Sequence, residues 1–170
     1  MAMDLKEVWQ AQKELASKPD WKPLAKGAEF VQLSCPIEYD AVTVQGLLFR
    51  ATAHIYSADK AVTFQIEHHP QDNKGGAFAR FEWRPRKGHG NKGIGPPEFR
   101  FKVITGCHFH PFDLNWDHSK ALVQKGLLKI AVPVLPSPAT YQEALAFVEK
   151  EFRIKGVVAM PTPPWTDKML

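Results

Sequence analysis

The sequence predicts an α+β fold: a twisted antiparallel β-meander of five or six strands, packed by a C-terminal helix and flanked by an N-terminal one. Three observations carry this. From Glu29 to Thr105, apolar and polar residues alternate in successive short runs, the period of strands with one buried face. Those runs follow one another too closely for crossover helices, so neighbouring strands pair antiparallel. Residues 139–152 change to a period of 3.6 behind a helix-start signature.

Residues 4–16 read as the first helix, with Asp4 as N-cap and Leu5, Val8, Trp9, Leu15 and Ala16 on one face. Lys18-Pro19-Asp20 ends it. Strands follow at Phe30–Cys35, Gly46–Tyr56, Ala61–Glu67, Gly76–Arg84 and Phe99–Thr105, with a short sixth at Leu127–Val132. Ser57 to Lys60 is short enough for a hairpin connection. Thr140 and Glu143 form a capping box, after which Tyr141, Ala144, Leu145, Val148 and Phe152 line one helix face. The 170 residues form one domain, with its core between residues 28 and 155 and an irregular proline-rich tail from 156 to 170.

An apolar share of 44% is enough to build that core, and the net charge of +4 permits a polyanionic partner without demanding one. Cys35 and Cys107 make no disulfide framework and no metal knuckle, so reduced core thiols and a cytoplasmic location are expected. The start of the chain lacks a signal-peptide pattern, and no apolar run is long enough to span a bilayer. GxSxG, P-loop and dinucleotide-binding patterns are missing, and no pair of carboxylates suits glycoside hydrolysis.

The chemistry-bearing segment is Thr105-Gly-Cys-His108-Phe-His110-Pro-Phe-Asp113. On a strand, His108 and His110 point to the same face with Cα atoms about 6.6 Å apart. Cys107 points the other way and cannot form a dyad with His108. The two imidazoles suit general acid–base catalysis, one accepting a ribose 2′-OH proton and the other protonating the leaving oxygen. They also suit metal binding, with Asp113, His118, His68 or His69 as a third ligand, in the manner of cupin HxH sites. A third outcome is ordinary histidines bonded to backbone or water.

Upstream, residues 84–102 hold Arg84, Arg86, Lys87, His89, Lys92, Arg100 and Lys102 against the single acid Glu98. Four glycines and three prolines between Pro85 and Glu98 make this either a solvated hairpin loop or a cationic arm for phosphate. Trp116, among polar neighbours, is a candidate for stacking on a base, whereas Trp83 is expected in the core.

The run Phe78-Ala-Arg-Phe-Glu-Trp-Arg84, a loop with His, Asn and Gly, and Phe-Lys-Val-Ile-Thr-Gly-Cys-His108-Phe-His110 resembles the TumE-like bacterial toxins over roughly residues 45–155. The resemblance implies a toxin of a toxin–antitoxin pair, with Arg84, His89, His108 and His110 at the matching positions. Here Arg84 is followed by Pro-Arg-Lys-Gly where the family has Asp-Asn.

The resulting expectation is a metal-independent, cofactor-free endoribonuclease. His108 and His110 act as acid and base with His89 assisting, and Arg84, Arg86, Lys87, Lys92, Arg100 and Lys102 hold phosphate. RNA or another polyanion is the expected partner, alongside a cognate antitoxin and no membrane. Two alternatives stand beside it. One is a non-enzymatic phage or mobile-element protein that blocks a nucleic-acid machine with the basic surface. The other is a cupin-like metal enzyme using His108, His110 and Asp113.

Overall fold

A computed structural model of the chain describes residues 3–71 and 74–167. Its α1 helix spans Leu5–Gln10, and the Asp4 carboxylate accepts from the Lys6 and Glu7 amides. This helix is shorter than the periodicity predicts. The Lys13 ammonium donates to the carbonyls of Val8 (2.8 Å) and Ala11 (2.7 Å), meeting acceptors that a continuing helix would have used. Residues Lys13–Leu15 then become strand β1, where Leu15 pairs with Ile37. Tertiary strand pairing outweighs a local helical pattern at this point.

The strands β2 (Lys22–Pro23), β3 (Phe30–Tyr39), β4 (Val42–His54), β5 (Val62–His68) and β6 (Gly76–Trp83) follow, the last four in an antiparallel meander. A small ribbon of β7 (His89–Gly90) and β8 (Val103–Ile104) stands apart. Strand β9 (His108–His110) returns to the meander beside β6, and helices α2 (Phe112–His118) and α3 (Lys120–Gln124) come next. Then come β10 (Val132–Pro133), helix α4 (Tyr141–Phe152) and β11 (Ile154–Lys155). The fold is α+β, with a nine-stranded sheet ordered β10-β9-β6-β5-β4-β3-β1-β11 and β2 added beside β3. Among the described residues, only the β1–β11 pair is parallel.

Two expected strands change. Residues 99–102 are turn and coil, so the expected Phe99–Thr105 strand shrinks to β8, outside the main sheet. Leu127–Val132 contributes only its last residue to β10. Here the buried side chains of Asn91 and Asn115 bond the backbone of Ala131 and Ile130, occupying amides and carbonyls that a sheet ladder would need.

Alternation sorts the side chains onto two faces. Ala51 pairs with Phe64, Phe64 with Phe81 and Phe81 with Phe109, giving a continuous apolar row across four strands. Helix α4 covers that row with Tyr141, Ala144, Leu145, Val148 and Phe152, and Phe147 meets Phe81 at 4.6 Å between ring centroids. The expected cap forms with its return bond shifted by one residue: Glu143 donates its amide to Thr140 Oγ1 (3.1 Å), and its carboxylate accepts from the Ala139 amide (2.7 Å) in place of that of Thr140. Trp83 is fully buried on this side, as are both free cysteines. No described helix is long and apolar enough to cross a membrane.

The opposite face carries Arg50, Thr52, Thr63, Gln65, Glu67, Arg80 and Glu82 in cross-strand register. Glu67, buried among them, accepts from Arg50 (3.1 Å) and His69 (2.7 Å) and also contacts the Gln65 amide. Thr63 donates to Glu82 at 2.7 Å. This polar ladder leads to the histidines.

Candidate functional site

His110 pairs with Arg80 and His108 with Glu82, so both imidazoles join the polar face where period-two geometry puts them. Phe109, between them, points into the core. The ribbon then lays His89 over the pair. Ring centroids are 4.6 Å apart for His89 and His110, 5.4 Å for His108 and His110, and 6.1 Å for His89 and His108. These three rings line a cleft of about 470 Å³ with Thr63, Arg80, Glu82, Arg86, Lys87 and His54.

Backbone carbonyls settle which ring nitrogens carry protons, because a carbonyl can only accept. His108 Nδ1 lies 2.9 Å from Gly106 O and must donate, leaving Nε2 as the basic nitrogen of the neutral ring. His89 Nε2 likewise donates to Lys129 O at 2.9 Å, leaving Nδ1 basic. His110 has a hydrogen bond to the Ile130 backbone, while its Nδ1 is buried with no partner.

His108 and His110 are each only 3% exposed. Desolvation pushes His110 down to about 2, helped by the neighbouring His89 and Arg80 side chains. Burial also lowers His108, partly opposed by its bond to Gly106 O and by the Glu82 carboxylate. At neutral pH both are therefore uncharged imidazoles: His108 keeps a basic Nε2, whereas His110 is too weak a base to take up a proton.

The basic segment divides. Arg86 and Lys87 line the cleft. Arg86 is clamped by the Ser57 hydroxyl and by His54 Nδ1 (3.2 Å), and His54 Nε2 in turn pairs with Glu29 at 3.1 Å. Arg84 is not at the cleft. Its backbone turns to φ +46° as β6 ends, and its guanidinium donates to the carbonyls of Asp59 (3.0 Å) and Ala139 (2.7 Å). Arg100 donates to Gly95 O at 3.1 and 3.2 Å and holds its own loop together. Lys92 and Lys102 are exposed and do not line the cleft. The cation that strand register does supply is Arg80, which the sequence reading missed; its position two residues before Glu82 on the open face was the available signal.

The expected metal set is not assembled. Asp113 accepts from Trp9 Nε1 at 3.3 Å, and Trp9 packs with Phe78, Phe112 and Phe152 in the core. His118 is exposed at the end of α2. His68 and His69 line a separate cleft of about 700 Å³ with Met3, Val44 and Lys74. Among the described residues, no three His, Cys, Asp or Glu side chains are arranged to hold a metal ion. Trp116 lies against Phe112 at 5.1 Å, half-buried, and leaves little ring for a base.

Sequence reasoning also missed Asn91 and Asn115, each buried. Asn91 bonds both backbone groups of Ala131, and Asn115 does the same for Ile130. Together they fix the wall that carries Lys129 O and the Ile130 backbone against the histidines. Asn91, between glycines, reads as a turn residue in sequence, and Asn115 as an ordinary polar residue between Leu114 and Trp116, so nothing local marks this role.

The class of protein is defined by fold and site: an α+β sheet whose open face ends in a cationic, three-histidine cleft. Comparison with family models, with curated proteins and with solved structures finds no match.

Proposed function

We propose that the cleft cleaves RNA by general acid–base chemistry. The observation that carries this reading is the packing of three imidazoles within 4.6–6.1 Å of one another in a cleft that Arg80, Arg86 and Lys87 also line. Desolvation of His110 shifts the proton work to the other two. His108 Nε2 takes the 2′-OH proton, and the 2′-oxygen forms a bond to phosphorus as the P–O5′ bond breaks. His89, the most open of the three rings, enters the step as its imidazolium, with Nε2–H held by Lys129 O, and gives its Nδ1 proton to O5′, leaving a 2′,3′-cyclic phosphate and a free 5′-hydroxyl. Arg80, Arg86 and Lys87 stabilise the charge on the transferring phosphate. His110 stays neutral and fills the floor that orients its neighbours.

Incubating the protein with end-labelled RNA tests this. Cleavage with cyclic-phosphate ends is expected, falling about 10²–10⁴-fold in His108→Gln with little change in thermal stability. Cleavage at the wild-type rate in that variant removes the mechanism. A toxin role predicts that expression arrests growth and that His108→Gln relieves the arrest.

The burial of His108 and His110 favours a second reading, in which both are structural and the protein binds a polyanion without cutting it. That reading predicts loss of activity on charge reversal at Arg86 and Lys87 and no effect of His108→Gln.

A further inference from the structure

The turn leading into β8 holds an aromatic ring out to solvent. Phe101 is 86% exposed and Val103 68%, although Val103 pairs with Gly90, next to His89. Isolated exposed apolar residues are common, but this one sits on a built scaffold. The Gly93 amide donates to Arg100 O (2.8 Å), the Arg100 guanidinium donates to Gly95 O, and Asn91 reaches Phe99 O (3.3 Å) and Ala131 O (2.9 Å). The Lys102 amide closes the turn on Phe99 O at 3.2 Å. Gly93, at φ +88°, backs one edge of the ring, and a Cβ there would come within 3.3 Å of Phe101 Cε1. The ring is thus positioned without being covered.

Its surroundings are cationic. Lys92 and Lys102 are exposed on the same arm, Lys87 leads to the cleft, and Glu98 is the single acid between residues 84 and 102. An open ring on an arm that carries two exposed lysines fits a strand of phosphates with unpaired bases, since every base offers a face for stacking. Duplex RNA hides those faces within its own stack.

We propose that Phe101 is a stacking platform that selects single-stranded RNA for the histidine cleft, with Lys92 and Lys102 following the phosphates. This rests on the ribonuclease reading for its substrate class.

The test uses a fluorescein-labelled 2′-O-methyl oligonucleotide, which binds but cannot be cut by 2′-OH attack, as a single strand and as a hairpin duplex. Anisotropy at low salt is expected to show tighter binding of the single strand, weakened about tenfold by Phe101→Ala and restored by Phe101→Trp. Equal binding by Phe101→Ala, a preference for the duplex, or binding to anionic vesicles but not to the oligonucleotide overturns the proposal. Phe101-dependent binding by a protein that leaves unmodified RNA intact keeps the platform and defeats the nuclease. Cleavage of RNA by Phe101→Ala at the wild-type rate and affinity does the reverse.

Discussion

The two faces of the central sheet are made by the same strands and held by different physics. On the helix-covered face, Phe64, Phe81, Trp83 and Phe109 lose their water and gain close packing, so stability there scales with buried apolar area. On the open face, Arg80 and Glu82 alternate with those residues along β6, and Glu67, His108 and His110 are buried as polar groups. Burial on that side costs free energy unless partners offset it. Glu67 is well partnered and His110 Nδ1 is not. Among the described residues, Arg50 Nε and Trp165 Nε1 are also buried without partners, but His110 Nδ1 alone of the three belongs to a residue lining the histidine cleft, where a ligand can supply what is missing.

Substitutions on adjacent residues of β6 should separate the faces most sharply. Phe81→Ala is expected to cost about 3–5 kcal/mol in urea unfolding, from lost transfer energy and the cavity left behind. Arg80→Ala, next to it, should cost under about 1 kcal/mol, because its contacts to Gln65 and Glu82 are partly solvated. Equal costs would erase the distinction between the faces.

Within the open face, Glu67→Gln should cost about 2–3 kcal/mol, since it strands Arg50 and His69 without their shared carboxylate. A loss near zero would mean that this ladder is held by its backbone alone.

Somewhat smaller than the effect of Glu67→Gln is a pH slope. His110 titrates in the folded state at about 2, below its ordinary value of 6.5, so the unfolded chain binds the proton first. The stability contributed by the neutral ring is complete above about pH 6.5 and lost as pH falls toward 2, by roughly 2 kcal/mol between pH 7 and pH 5. His108, lowered in the same direction, adds to the slope. Urea midpoints for wild type and His110→Leu at both pH values check this: the variant should lose most of the dependence. A slope unchanged by the substitution would place its source in another group.

Much of this architecture is legible in the chain. The four long strands are visible because their period of two is a local property, and the α4 cap is visible because Thr140 and Glu143 lie within one turn of each other. The first helix is over-read for the opposite reason: Leu15 and Ala16 suit a helix locally, and only Ile37 and Ile154, distant in sequence, recruit residues 13–15 to the sheet.

The site divides along the same line. That His108 and His110 share a face follows from strand alternation alone, whatever the rest of the protein does. That His89 joins them, that Arg80 and not Arg84 faces them, and that Asp113 turns to Trp9 are consequences of register, of the φ +46° turn after Trp83 and of where α2 begins. Side-chain direction is set by each residue's own backbone and can be read from spacing. Proximity across tens of residues depends on which strands pair and in what register, which is decided by the packing of the whole molecule.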